Sequence, residues 1–220
     1  MLEVLYEDNH LIAINKKSGD IVQGDKTGDT PLSDFVKAYI KKKYKKPGEV
    51  FLGTIHRLDR PTSGIVLYAK TSKALSRMNE QFRNKKVKKI YWAVVDKPTP
   101  NNSGTLENYL QKNQKQNKSY VTKGENGKHA ILDYNLLKKL DNFYHLEIKP
   151  KTGRHHQIRV QLAHIGCIIK GDLKYGAKRS NKDASIHLLA QKLEFVHPVK
   201  KEEISITASA PKDSVWDACK

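Results

Sequence analysis

At Gly64 the chain changes character abruptly, from the charged, turn-rich segment HRLDRPTSG (56–64) to the apolar run IVLYA, and this junction limits what can surround it. A run rich in Ile, Val, Leu and Tyr reads as a buried strand, so the preceding segment is a loop at the strand's entrance. In that loop Asp59 lies between Arg57 and Arg60, on a chain with 41 Lys and Arg against 23 Asp and Glu. A carboxylate placed there would repel a bound polyanion unless it has work to do on it, which makes Asp59 a candidate nucleophile. An ordinary surface ion pair, contributing only about 0–1 kcal/mol, fits the local segment equally well.

A formal net charge of +18 and a sequence pI near 9.7 point to phosphate-rich polymers or anionic membrane surfaces as partners. The membrane is disfavoured because no apolar run approaches the roughly 20 residues a spanning helix needs. The opening MLEVLYEDNH also lacks the charged-then-apolar layout of a signal peptide, so a cytoplasmic chain is expected. Two cysteines, Cys167 and Cys219, make neither a disulfide framework nor a metal-ligand spacing, and both are expected to be reduced. A chain of this length buries about 70% of its surface without a staple. Nothing like a repeat or a long Gly/Ser linker divides it, and one domain spanning 1–220, with room for two lobes, is expected.

Leu2–Tyr6 and His10–Asn15 read as a strand pair, followed by a polar turn at Lys16–Gly19. Pro31 opens a helix on which Leu32, Phe35, Val36 and Tyr39 recur at helical spacing; the basic run Lys41–Lys46 suits its negative end, and Pro47-Gly48 stops it. Thr71 or Ser72 caps a second helix with Leu75, Met78 and Phe82 on one face, leading to a strand at Ile90–Val95. Residues 99–130, dominated by Asn, Lys, Gln, Gly and Ser, read as long solvated loops or an excursion toward RNA. After Pro150 a reversal at Thr152-Gly153 enters a helix with Ile158, Leu162 and Ile165 on its apolar stripe, ended by Gly166. Arg154, His155, His156, Arg159 and His164 make its other faces cationic, which reads most simply as a solvated face. His156 and His164 are too far apart for an adjacent-turn metal pair, and no metal is expected.

Four segments in order, HRLDRPTSG (56–64), KIYWAVV (89–95), KTGRHHQIRVQLAHIG (151–166) and GDLKYG (171–176), resemble the RluA-type RNA pseudouridine synthases, and LYEDNHLIAINKKSG (5–19) resembles that family's opening strand pair. The resemblance implies an α+β pseudouridine synthase fold, a mixed, mostly antiparallel sheet with flanking helices and loops. It implies an isomerase that detaches uracil from its ribose at N1, rotates it and rejoins it through C5, with no cofactor. Asp59 matches the family's catalytic aspartate, as nucleophile or as base removing a sugar proton; the sequence leaves both open. Arg159 matches the arginine that pairs with that aspartate, and Tyr91 the active-site tyrosine, although a tyrosine in a strand is by itself more often core. Arg57 resembles a residue that fills the space left by an extruded nucleotide. His56, Arg60 and Arg154 complete the candidate substrate-binding set, with His56, Thr62 and Ser63 also suited to holding the loop.

Lys17 stands where the family commonly has proline, Gln161 where histidine often follows the Arg-Val pair, and Ile168 where proline is frequent after Cys167. These departures leave the RNA target open rather than the reaction. The expected partner is structured RNA, ribosomal or transfer, bound by a monomer without a separate S4-like RNA-binding domain. The alternatives are a catalytically silent RNA-binding or ribosome-associated module of the same fold, and a nucleoside hydrolase, which would release free uracil.

Overall fold

The apolar runs of five to eight residues become strands, and the three stretches expected to be helical become helices. The computed structural model describes residues 2–24 and 28–220. In chain order the elements are β1 (Val4–Glu7), β2 (Leu11–Lys16), α1 (Leu32–Lys43), β3 (Gly53–Thr54), β4 (Ser63–Ala69), α2 (Ser72–Arg83), β5 (Lys88–Val95), β6 (Ser103–Asn113), β7 (Lys118–Thr122), β8 (Lys128–Lys139), β9 (Tyr144–Pro150), α3 (Gln157–His164), β10 (Leu188–Val196), β11 (Glu203–Thr207) and α4 (Ser214–Ala218). They form two compact units. The first takes the chain through Lys88 and returns for Ala190–Ser209; the second is Lys89–Leu189 with Ala210–Lys220. Among the described residues no helix is long and apolar enough to cross a membrane.

In the first unit β1, β2 and β4 lie side by side with antiparallel pairings, β3 adds to β4, and β11 pairs with β10. All seven residues of β4 are buried, which explains why its sequence is apolar without alternation. Leu32, Val36 and Ile40 of α1 share a core with Ile12, Ile14, Val66 and Tyr68. Gly64, the second residue of β4, adopts φ +112°, and an added Cβ there would sit 2.3 Å from the Ala190 carbonyl oxygen; only glycine fits this close approach.

Helix α1 ends at Lys43, before Pro47-Gly48. Lys45 takes a left-handed turn (φ +48°) and the Lys46 amide donates to the Lys41 carbonyl, so the backbone closes the helix itself. The Glu7 carboxylate reinforces this end by accepting from Lys43 Nζ (2.6 Å), Tyr44 OH (2.8 Å), Tyr39 OH (3.0 Å) and Lys70 Nζ (3.0 Å). Burial alone would raise its pKa, but these donors outweigh it and hold the carboxyl at about 2. Buried His197 lies 2.7 Å through Nε2 from Asp8, joining the early and late parts of this unit.

The second unit is an antiparallel run β5-β9-β8-β6-β7, with Ile158 and Leu162 of α3 packed on Ala93, Leu132, Leu146 and Ile148. Much of 99–130 is therefore sheet rather than solvated loop, which corrects the sequence reading. Strand β6 is held by backbone pairing to β7 on one side and β8 on the other, and its only apolar residues on the cores are Leu106 and Leu110, with Val121 of β7, too few among Asn, Gln, Lys, Ser and Thr to announce two strands. The last helix, α4, is likewise unannounced beyond its one sequence signal, an N-cap residue. Asp213 caps it by accepting from the Val215 and Trp216 amides, and Trp216 is buried against the His187 ring at 5.2 Å.

Candidate active site

In the first unit the segment leading into β4 is fixed at both ends. His56 stacks on Phe82 (5.2 Å) and its Nε2 accepts from the Leu67 amide at 3.1 Å, which turns this ring toward the protein in the loop-holding role. Leu58 packs on the core, and its neighbours on either side, exposed Arg57 and half-buried Asp59, point elsewhere. The Thr62 amide donates to the Asp59 carbonyl at 3.0 Å, closing a tight turn. Exposed Arg60 pairs with Asp29 at 2.8 Å.

Beneath this turn lies Lys16, only 1% exposed, although the sequence reading put it in a polar surface turn. Its ammonium donates to the carbonyls of Thr62 (2.7 Å), Lys17 (2.9 Å) and Arg60 (3.0 Å). The turn bearing Asp59 is thus tied to the end of β2 by one buried charge. Burial lowers the Lys16 pKa to about 8, the fields of Asp20 and Asp59 opposing and that of Arg60 assisting. Sequence reasoning missed this residue: one buried lysine cannot be told from the solvated ones by its letter.

In the second unit Tyr91 lies on β5 opposite Ile148 of β9, half-buried at the edge of the core. The reversal before α3 is knitted by Gln157, whose Oε1 accepts from Thr152 Oγ1 (2.8 Å) and the Arg154 amide (3.0 Å) while its Nε2 donates to the Ile131 carbonyl (2.9 Å). Arg154 is exposed and donates through Nε to the His129 carbonyl at 2.8 Å.

Helix α3 does not present a solvated cationic face at Arg159. Residues Gln157–Leu162 are all buried, so the helix has no single apolar stripe, and Arg159 is 4% exposed. Its Nε donates to Asp172 Oδ2 at 2.7 Å and its Nη2 to Asp172 Oδ1 at 2.8 Å, while the Tyr175 ring lies 5.2 Å from Cζ. The Tyr175 hydroxyl accepts from the Ser119 amide (2.9 Å) and sits 3.0 Å from Nδ1 of buried His156. Burial first, then the positive field of Arg159, pushes the His156 pKa down to about 2, so this ring is neutral at ordinary pH. Asp172 and Tyr175 belong to GDLKYG, a segment legible as a motif but not as a partner for Arg159.

The sequence candidates therefore form two local groups, His56, Arg57, Asp59 and Arg60 on one turn and Tyr91, Arg154 and Arg159 in the other unit. A sequence model described as RNA pseudouridylate synthase matches residues 10–164. A protein of Buchnera aphidicola subsp. Baizongia pistaciae named ribosomal large subunit pseudouridine synthase C is 36% identical over 97% of this chain and 68% of its own length. A Vibrio vulnificus protein of the same name is 33% identical over 93% of this chain and 64% of its own. The chain thus spans about two thirds of the length of such curated relatives. Among solved structures, human RNA pseudouridylate synthase domain containing 4 superposes with a TM-score of 0.80 at 24% identity, covering 99% of this chain and 91% of that one, a likeness of fold.

Proposed function

The chain belongs to the RNA pseudouridylate synthase family, of RluA type, and from that premise we propose that it converts particular uridines of structured RNA to pseudouridine with Asp59 as the reacting carboxylate. The observation that carries this reading is the turn at 59–62. Asp59 stands half-buried between two exposed arginines, on backbone that Lys16 holds from beneath. Arg57 and Arg60 can neutralise phosphates while the carboxylate addresses the sugar or the base. We place the reaction in the cytoplasm, and the names of the relatives favour ribosomal RNA over transfer RNA as its substrate.

The chemistry asks for three acts. The target base must leave its stack, at a cost of a few kcal/mol offset by pocket and phosphate contacts, with Arg57 suited to filling the gap. Asp59 then assists cleavage of the N1 glycosidic bond, as nucleophile or as base. After the uracil turns and C5 joins the ribose, the C5 proton departs, a transfer the Tyr91 hydroxyl is suited to assist. No electrons are gained or lost. In this reading Arg159 serves the isomerisation as a supporting group, and Arg154 and Arg60 contact the RNA backbone, whereas His56 serves the loop.

Tritium release from RNA carrying 5-tritiated uridine tests the proposal. Wild-type protein releases tritium, and Asp59→Asn, which keeps the shape but can act as neither nucleophile nor base, releases none while still binding RNA. Near-wild-type release by the variant removes Asp59 from the mechanism. Binding without release by the wild type identifies a silent RNA-binding module, and free uracil a hydrolase.

A further inference from the structure

The segment 171–176 places two side chains against Arg159. Gly171 adopts φ +86°, and a Cβ there would lie 2.7 Å from the Ser185 carbonyl oxygen, so only glycine lets the chain turn inward at this point. The next residue, Asp172, is 1% exposed. Its carbonyl accepts from the Tyr175 and Ala177 amides, locking a tight turn that Gly176 closes at φ +108°. From this turn the Asp172 carboxylate takes the Nε and Nη2 edge of Arg159 in the plane of the guanidinium, and the Tyr175 ring covers it from the side. Plane and direction of the guanidinium, including where Nη1 points, are set together.

A buried guanidinium–carboxylate pair adds little stability over an apolar pair of the same volume, so folding alone does not account for its placement. We propose that Asp172 is a positioning residue for the isomerisation, acting through Arg159: its carboxylate holds the guanidinium in the orientation the reaction uses. The proposal rests on the isomerase reading above and adds to it a residue and a task.

The test compares steady-state turnover of 5-tritiated uridine RNA by Asp172→Asn and Asp172→Glu, each in the wild-type and the Arg159→Met background. A misplaced guanidinium lowers kcat of Asp172→Asn by about 10²-fold, with KM and the RNA Kd within about threefold of wild type. Asp172→Glu keeps the buried charge paired but moves the carboxylate by a methylene, and lowers kcat by about tenfold. Because Asp172 acts through Arg159, adding Asp172→Asn to Arg159→Met costs less than about threefold more, whereas a merely structural role multiplies the two losses in full. Wild-type kcat in either single variant, or full multiplication in the double, overturns the proposal; Asp172→Glu decides the matter if Asp172→Asn does not fold. A wild-type protein that releases no tritium fails the isomerase reading instead, so the two failures are told apart.

Discussion

Lys16 in the first unit and Arg159 in the second are both buried cations near candidate site residues, yet one is caged by three carbonyl oxygens and the other clasped by a carboxylate. The choice follows from the two cations. An ammonium has three donors around one point and suits carbonyls arriving from different strands of backbone; a guanidinium is a flat fork and suits one carboxylate in its plane. An ammonium can also survive burial at a lowered pKa, here about 8, whereas a guanidinium keeps its proton and needs a neutralising neighbour. The first device fixes a stretch of main chain, and the second aims a side chain.

The contrast is broken most directly by removing one cation at a time. Arg159→Met strands the Asp172 carboxylate in the interior and costs about 3–5 kcal/mol in urea unfolding, most of which returns in the Arg159→Met/Asp172→Leu double variant. A single variant as stable as wild type contradicts the account of a buried pair. Lys16→Met leaves three carbonyls without their donor but also relieves the burial of a charge, so the loss at neutral pH is smaller, about 1–3 kcal/mol. Its pH dependence supplies the signature. The folded pKa of about 8 lies below the ordinary 10.5, so the unfolded chain binds more protons between these values. Wild-type stability relative to Lys16→Met therefore grows as pH rises from 8 to 10.5, and a flat difference refutes the caged ammonium.

Glu7 sharpens the comparison from the acidic side. Its pKa is lowered from 4.5 to about 2, so its contribution is fully present above 4.5 and disappears as pH falls through 2. Glu7→Gln loses about 1–2 kcal/mol at pH 7, and its unfolding curve meets that of wild type near pH 2. The smallest effect concerns RNA. Residues 108–124 of the second unit carry four lysines and no carboxylate, whereas the basic end of α1 has Glu7 bound to Lys43. Lys112, Lys115 and Lys118→Gln should flatten the log-affinity against log-salt slope by about 2, and Lys41, Lys42 and Lys45→Gln by less, at roughly 0.7–0.9 per phosphate contact. The reverse ranking moves the RNA track to α1.

What could be read from the chain was whatever depends on neighbours in sequence. The apolar runs foretold β2, β4 and β5, and Pro31 and Thr71 marked the starts of α1 and α2. The letters around Asp59 identified the candidate carboxylate and the family. What stayed hidden depends on partners distant along the chain. Lys16 acquires its meaning from carbonyls 44 and 46 residues away, and β6 and β7 pair through backbone in a stretch whose few apolar residues are scattered among polar ones. Arg159 looked solvated because a short helix buried on every side carries no periodicity to expose the mistake.

The first unit closes only when Ala190–Ser209 joins residues that precede Lys88. On a translating ribosome, at about 5–20 residues per second, roughly 6–24 s pass between the emergence of these two parts. During that interval β4 waits without β10, and Asp8 without His197, while the intervening second unit is already being delivered. A nascent chain stalled at Leu189 would hold nearly all of the second unit's sequence, together with an open sheet margin in the first, and it is such interrupted products, more than the finished protein, that chaperones and proteases would have to manage.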